Sequence, residues 1–194
     1  MQARASNRRQ QILEVLAHEL ESNPGSRITT AKLAAAVGVS EAALYRHFPS
    51  KAKMFEALIT FAEESVFGLV TRILAEESDI EVQVYQIASM LLRFAERNPG
   101  ITRILVGDVL LGEHERLRRR VEQFFARLET QFNQLLRERA AMMDSQKARG
   151  EVAALANLLV ALIGGRLAQY VRTEFRKSPS ENFDDQWQII MRPA

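Results

Sequence analysis

The sequence predicts an all-α protein. Apolar residues recur at spacings of three and four along nearly the whole chain, which is the period of an amphipathic helix. No stretch alternates apolar and polar residues as a half-buried strand would, and clusters of β-branched residues are sparse. The 194 residues are 47% hydrophobic and 26% charged, so the chain can bury a core of its own.

Capping and turn residues delimit four helices at the start of the chain. Ser and Thr side chains accept N–H hydrogen bonds at helix starts, Gly suits left-handed helix ends, and Pro stops a helix. These signals predict helices over residues 7–21, 30–37, 41–48 and 51–76. The residues that carry the signals are Asn23-Pro24-Gly25, Thr29, Thr30, Gly38, Ser40, Pro49 and Ser50.

The rest of the chain also has a helical period. Further helices are predicted over residues 80–97, 101–111, 113–142 and 150–175. The Asn98-Pro99-Gly100 segment and residues 143–150 are expected connections. The tail from Ser178 is expected to be loop-like. The apolar tail residues expected to fold back onto the protein are Trp187, Ile189 and Ile190.

The charge is distributed unevenly along the chain. The formal net charge is +2, but residues 1–53 carry eight Lys and Arg against four Asp and Glu, or +4, and the remainder carries −2. A small basic module joined to a larger, near-neutral module suggests that only the first binds an anionic partner such as nucleic acid. We therefore predict a DNA-binding domain at residues 1–50 and a dimerisation and partner-binding domain at residues 51–194.

The composition disfavours several chemical functions. The chain has no Cys, which excludes disulfides, Cys-ligated metals and thiol catalysis and fits a cytoplasmic protein. His18, His47 and His114 lie too far apart for a local His-pair metal motif. Because the sequence also offers no nucleophile–base pair and no phosphate-binding loop, we expect neither an enzyme nor a cofactor.

No membrane segment is expected. The start of the chain has no apolar stretch typical of a secretory signal. The longest apolar run, residues 152–165, is shorter than the roughly 17 to 25 residues that cross a bilayer. Because this run is apolar nearly all round, we expect it to be covered by other helices. We predict a four-helix dimer interface built by this segment and part of the helix at 113–142.

Two short helices joined by Gly38-Val39-Ser40 have the pattern of a DNA-binding helix-turn-helix. In the second of them, Leu44 and Phe48 share the buried face. Small outward residues let a helix approach base edges in the major groove. The outward residues are Ala42, Ala43 and Arg46.

Polar side chains around this helix are expected to contact phosphate oxygens and to position the protein on DNA. They are Tyr45, His47, Lys51 and Lys53. Tyr45 can alternatively pack on the first helix, and His47 can be a solvated or core-capping residue. Arg4, Arg8 and Arg9 are expected either to form a basic arm that binds DNA or to remain a solvated tail.

The segments TTAKLA at residues 29–34 and GVSEAALYRHFPSK at residues 38–51 closely resemble the DNA-binding domain of the TetR family. This resemblance covers about a quarter of the chain. It implies a dimer whose all-α C-terminal domain usually holds a ligand pocket. The candidate DNA-binding residues are Arg8, Arg9, Thr29, Thr30, Ser40, Ala42, Ala43, Tyr45, Arg46, His47 and Lys51.

Three further segments are similar to one group within that family, the nucleoid occlusion factors. They are RITT at residues 27–30, FAERNPG at residues 94–100 and VRTEF at residues 171–175. The resemblance implies a nucleoid-associated homodimer, or a higher-order assembly of such dimers on DNA, that binds palindromic sites in double-stranded DNA. It also implies binding of the division protein FtsZ and disruption of its polymers. By position, it makes Thr29 a DNA-contact residue and puts Phe61, Arg97 and Asn98 at the FtsZ surface, although Phe61 can alternatively pack in the core. The group's helix 4 arginine aligns with Leu69, and Arg93 stands where the group has glycine, so Arg72, three residues after Leu69, and Arg93 are candidates for a shifted surface.

An alternative function keeps the DNA-binding module and makes the C-terminal domain a small-molecule sensor, as in a ligand-responsive TetR-type repressor. Ligand binding would then change the separation of the two helix-turn-helix units and release the DNA. The aromatic residues that could line a ligand pocket, or simply form the core, are Phe94, Phe124, Phe125, Phe132 and Tyr170.

Overall fold

The structure, a computed structural model, describes residues 2–143 and 146–191. It describes the side chains of these residues except for residues 2–6 and 147–149. All regular elements in these two ranges are helical, which confirms the predicted all-α class. The α-helices are α1 (Gln2–Ser22), α2 (Thr30–Val37), α3 (Glu41–His47), α4 (Lys51–Glu76), α5 (Ile80–Arg97), α6 (Pro99–Leu105), α7 (Glu115–Met142), α8 (Gln146–Arg172) and α9 (Phe183–Ile190).

Both predicted boundaries of two helices are wrong. The helix expected over residues 101–111 begins at Pro99 and ends at Leu105, because Gly107 adopts a left-handed φ of 78°. A separate 3-10 turn, Asp108–Leu110, follows. α8 begins at Gln146, inside the connection predicted over 143–150, of which residues 144 and 145 lie outside the described residues. It ends before Phe175, whose φ of 63° is also left-handed.

The tail from Ser178 is not a loop throughout, because α9 forms within it. Its apolar residues Phe183 and Trp187 are one helical turn apart and are both buried, which confirms that Trp187 folds back onto the protein. The same expectation for Ile189 is wrong, since 67% of this residue is exposed. An eight-residue amphipathic helix has too few turns for its period to be clear in the sequence.

The chain divides into two compact units. The first comprises residues 1–63 and 98–121, so it is larger than the predicted N-terminal domain of 50 residues. The close approach of α6 to α1 explains the difference. Gly100 lies against the backbone of Ala17, where an added Cβ would be 2.1 Å from the carbonyl oxygen.

The buried side chain of Arg103 also joins α6 to α1 within the first unit. It is 3% exposed. Its guanidinium donates to the main-chain oxygens of Leu20 and Asn23, at 2.8 and 3.1 Å, and to Asp108 Oδ2 at 2.6 Å. Arg103 therefore binds carbonyl groups at the C-terminal end of α1 that have no partner inside the helix.

The second unit comprises residues 64–97 and 122–194. The tail is fastened by Arg166, which donates to the main-chain oxygens of Pro179 and Glu181 and to Gln186 Oε1. Tyr85 on α5 donates to Asp184 Oδ1 at 2.6 Å and stacks with Phe183. These contacts hold α9 through charge-assisted bonds and aromatic packing together.

The aromatic residues proposed for a ligand pocket pack against other aromatic rings or are buried. Phe124 makes edge-to-face contacts with Phe67 and Phe125, with ring centroids 5.6 and 5.3 Å apart. Tyr170 packs against Phe175 at 5.2 Å. Phe94 and Phe132 are buried as well. Core packing therefore accounts for these side chains.

One helix in the described ranges, at residues 150–172 within α8, is long and apolar enough by length and composition to cross a membrane. Only 28% of its most apolar window is buried. The side chains of Leu159, Ile163 and Leu167 are buried. Leu158 is 50% exposed, and Leu162, four residues later on the same face, is half-buried. α8 therefore has one covered apolar face and a second apolar face that its own chain leaves open.

Candidate nucleic-acid interface

A tight turn joins α2 to α3. Gly38 ends α2 in the left-handed conformation, with a φ of 75°, as predicted. Its N–H bonds to the oxygen of Ala35 at 3.1 Å, and the N–H of Val39 bonds to the oxygen of Ala34 at 2.9 Å. This pair of bonds is the Schellman arrangement, which satisfies the last carbonyls of a helix and turns the chain sharply. It directs the chain into α3 after only a few residues.

Thr29 and Ser40 cap α2 and α3. Thr29 Oγ1 accepts a hydrogen bond from the N–H of Lys32 at 3.3 Å, and Ser40 Oγ accepts from the N–H of Ala43 at 3.2 Å. A hydroxyl that accepts in this way keeps its own hydrogen for another acceptor. Both caps can therefore hold their helices and still donate to a phosphate oxygen.

The two faces of α3 differ as the helical period predicts. Leu44 and Phe48 are buried, at 0% and 1% exposure. Ala42 and Arg46 are exposed, and Ala43 is half-buried. Arg46 makes no ion pair or hydrogen bond with any residue that the structure describes. The outer face of α3 thus combines small residues with an available guanidinium, the group that reads guanine most often.

Tyr45, Thr30 and Glu41 form a chain of hydrogen bonds across the helix-turn-helix. The Tyr45 hydroxyl donates to Thr30 Oγ1 at 3.3 Å, and the Thr30 hydroxyl donates to Glu41 Oε2 at 2.7 Å. Tyr45 is 43% exposed, and its hydroxyl is bonded to Thr30 at the start of α2. The hydrogen-bonding role of Glu41 was not predicted from the sequence.

Lys51 is less available than predicted. Its ammonium forms an ion pair with Glu113 and donates to the main-chain oxygen of Ile28 at 3.3 Å. Its side chain is 19% exposed. Lys53 pairs with Glu56 at 2.7 Å, and its side chain is 48% exposed. Lys51 therefore holds the start of α2 against α4, whereas Lys53 remains at the surface.

The arginines near the start of the chain do not form a separate arm, because α1 is helical from Gln2 onward. Arg8 is exposed and donates to Gln11 at 2.9 Å. Arg9 donates to the main-chain oxygen of His47 and lies over the ring of Phe48. The guanidinium of Arg9 is thus engaged by the C-terminal end of α3. The side chain of Arg4 lies outside the described residues.

The carboxylate of Glu56, in the first unit, interacts with three basic side chains. Partial burial raises the pKa of its carboxyl, but the hydrogen bond from Lys53 and the charges of Arg116 and Arg120 outweigh burial. Together they hold the pKa of Glu56 below its usual value of 4.5. Arg120 also donates to the main-chain oxygen of Glu56 at 3.2 Å, which ties the start of α7 to α4.

The residues predicted for the FtsZ surface are distributed over α4, α5 and the start of α6. Phe61 is 43% exposed, so it is a surface residue and not part of the core. Arg72 is exposed on α4, and Arg93 and Arg97 are exposed one turn apart on α5. Asn98, which precedes α6, is half-buried. Phe61 and Asn98 belong to the first compact unit and the three arginines to the second.

Comparison with protein families identifies both parts of the chain. Residues 12–58 match the profile of bacterial regulatory proteins of the TetR family. Residues 78–193 match the profile of the SlmA-like C-terminal domain, described as tetracyclin repressor-like.

Solved structures with the same fold are TetR-type regulators. PfmR from Thermus thermophilus has a TM-score of 0.73 at 20% identity, covering 94% of this chain and 95% of that one. FadR from Bacillus subtilis, solved in complex with stearoyl-CoA, has a TM-score of 0.72 at 13% identity, covering 93% and 96%. At such low identities these structures support the fold alone.

Full-length relatives are much more similar in sequence. The chain is 55% identical over 186 residues to the nucleoid occlusion factor SlmA of Shewanella halifaxensis, covering 96% of this chain and 94% of the relative. It is 56% identical over 185 residues to the SlmA of Colwellia psychrerythraea, covering 95% and 93%. The chain therefore belongs to the TetR family and, within it, to the SlmA group of nucleoid occlusion factors.

Proposed function

We propose that this protein binds palindromic sites in chromosomal DNA as a homodimer and disrupts FtsZ polymers over the nucleoid. The observation that carries the proposal is the two-sided structure of α3, which follows a tight turn. Its inner face is buried, and its outer face exposes Ala42 and Arg46. The near full-length similarity to nucleoid occlusion factors supports the second half of the proposal. The mechanism is positional, because DNA sites decide where the dimer acts.

In this mechanism α3 enters the major groove. Arg46 and the small residues Ala42 and Ala43 face base edges. Polar groups at the helix ends contact phosphate and set the register. The proposed phosphate contacts are Arg8, Thr29, Thr30, Ser40, Tyr45 and His47. Arg9 and Lys51 act indirectly, because their charged groups hold α3 and α2 in place.

The open apolar face of α8 supports the dimer. It presents Leu158, Ala161, Leu162 and Gly165 at helical spacing; Leu162 is half-buried and the other three are exposed. Small residues let two helices approach closely, and an apolar face of this length is costly to leave in water. We propose that α8, with part of α7, packs against the same helices of a second copy. Two recognition helices about 34 Å apart would then fit successive major grooves.

The FtsZ surface is proposed to include Arg72 on α4 and Arg93 and Arg97 on α5, which all belong to the second compact unit. Phe61 of the first unit is proposed as a separate contact. Arg72 and Arg97 make no ion pair with any residue in the described ranges, so their charges are available to a partner. An exposed aromatic ring such as Phe61 is typical of a protein-binding surface. Asn98 follows Arg97 directly in the chain and precedes α6, which begins at Pro99.

The experiment is sedimentation of FtsZ polymers with the full-length protein, with and without a duplex selected by the protein from random DNA. Arg97→Glu should abolish the loss of pelleted FtsZ and leave DNA affinity unchanged. Arg118→Glu is the matched control, because Arg118 is also exposed and makes no ion pair with the described residues. If Arg97→Glu still disperses FtsZ, this surface is wrong. If it loses FtsZ and DNA binding together, the two surfaces are not separate.

A further inference from the structure

Glu41 introduces an acidic side chain into a surface that faces DNA in the proposed complex. It is the first residue of α3 and is exposed. Its carboxylate is the last acceptor in the hydrogen-bond chain that runs from the Tyr45 hydroxyl through the Thr30 hydroxyl, over 3.3 and 2.7 Å. Neither composition nor the helical period explains why an acidic residue stands here.

The direction of these hydrogen bonds has a chemical consequence. A hydroxyl group has a single hydrogen to donate, and a phosphate oxygen can only accept. The Thr30 hydrogen points to Glu41 and the Tyr45 hydrogen points to Thr30. The Thr30 hydroxyl can therefore donate to the DNA backbone only after its bond to Glu41 opens, and the Tyr45 hydroxyl only after its own bond to Thr30 opens. The carboxylate also repels any phosphate that approaches the same hydroxyls.

We propose that Glu41 is a specificity-determining residue that lowers the affinity of the protein for DNA of arbitrary sequence. On non-specific DNA, where binding depends on phosphate contacts, Glu41 holds the hydrogen of the Thr30 hydroxyl and adds charge repulsion. On the specific site, a cytosine amino group donates to the carboxylate, as acidic side chains at base edges accept from cytosine N4. The N-terminal residues of a recognition helix are the ones that reach base edges.

This inference rests on the proposed function, because it requires Thr30 and Tyr45 to face the DNA backbone. An acidic residue in the first turn of a helix also interacts favourably with the helix dipole. That effect changes only the stability of the fold. A role in specificity changes the ratio between the affinities for specific and non-specific DNA. A change in the stability of the fold leaves that ratio unchanged.

The test compares Glu41→Gln with Glu122→Gln in the full-length protein. Gln keeps an oxygen that can accept from Thr30 but removes the charge. Glu122 is exposed on α7 and has no ion pair within the described residues, so its substitution makes the same change in net charge elsewhere. Affinities are measured for the selected duplex and for a scrambled duplex over a range of salt concentrations. Circular dichroism verifies that both variants are folded.

Glu41→Gln should bind the scrambled duplex about fivefold to tenfold tighter, as expected for one close charge repulsion removed. Its affinity for the selected duplex should not rise, so the ratio of the two affinities falls. Equal tightening on both duplexes, or the same result for Glu122→Gln, would overturn the proposal for Glu41. If the unmodified protein does not prefer the selected duplex, it is the proposed DNA-binding function that fails.

Discussion

The guanidinium of Arg9 lies 4.2 Å from the centre of the Phe48 ring and donates to the main-chain oxygen of His47. Both contacts are at the C-terminal end of α3, where carbonyl groups have no partner inside the helix and attract positive charge. A residue of α1 thus supports the end of the proposed recognition helix. The separate roles of Arg9 and Arg8 can be measured.

Arg9→Met keeps an unbranched stem but removes the charge. We expect the free energy of unfolding to fall by about 1 kcal/mol, from the lost cation–π contact and hydrogen bond. The salt dependence of DNA binding should not change, because no phosphate contact is lost. Arg8→Met should have the opposite effects. The free energy of unfolding should not change, and the slope of log affinity against log salt concentration should fall in magnitude by about one. A lower slope for Arg9→Met at unchanged stability would make Arg9 a DNA contact after all.

Gly100→Ala should strongly destabilise the protein. The added Cβ would be 2.1 Å from the Ala17 carbonyl oxygen, and backbone atoms cannot move aside as a flexible side chain can. We expect a loss of about 1–3 kcal/mol or more in urea unfolding. Gly68→Ala is the control, because Gly68 lies within α4 with no atom within 4 Å of an added Cβ. It should stabilise the helix by about 0.5–1 kcal/mol. Equal effects would contradict the packing of α6 on α1.

Glu56 should make stability depend on pH. Its folded pKa is lower than the usual 4.5, so the stabilisation is complete above that value and disappears as the pH falls through the folded pKa. Glu56→Gln should therefore be less stable than the unmodified protein at pH 7, and the difference should disappear in acid. Urea unfolding at several pH values measures this. A difference that is independent of pH would mean that the carboxylate charge does not contribute.

Leu158→Glu should convert the dimer to a monomer. Leu158 is 50% exposed on the open apolar face of α8, and a buried, unpaired carboxylate between two copies is costly. Sedimentation equilibrium should give half the mass, and affinity for a palindromic duplex should fall with it. Ile189→Glu is the control, because Ile189 is 67% exposed on α9. Its mass should be unchanged, and a dimeric Leu158→Glu would remove α8 from the interface.

The helix-turn-helix was predictable in detail because its signals are local. Gly38 is left-handed, Ser40 caps α3, and Leu44 is buried, as capping and periodicity predict. The tail was predicted less well. α9 depends on the aromatic contacts of Phe183 and Trp187 with Tyr85, which is nearly a hundred residues away in the chain, and no local pattern encodes that contact.

By itself the sequence determined the all-α class, the place of the DNA-binding turn and the family, since caps, turns and helical period act between residues that are close in the chain. Only the tertiary structure decided which basic side chains remain available to bind DNA. Arg9 finds its acceptor 38 residues away, and Lys51 is drawn to Glu113, while Arg46 stays exposed. Long basic side chains reach whichever partners folding brings near, so their number and order in the sequence do not reveal which of them face DNA.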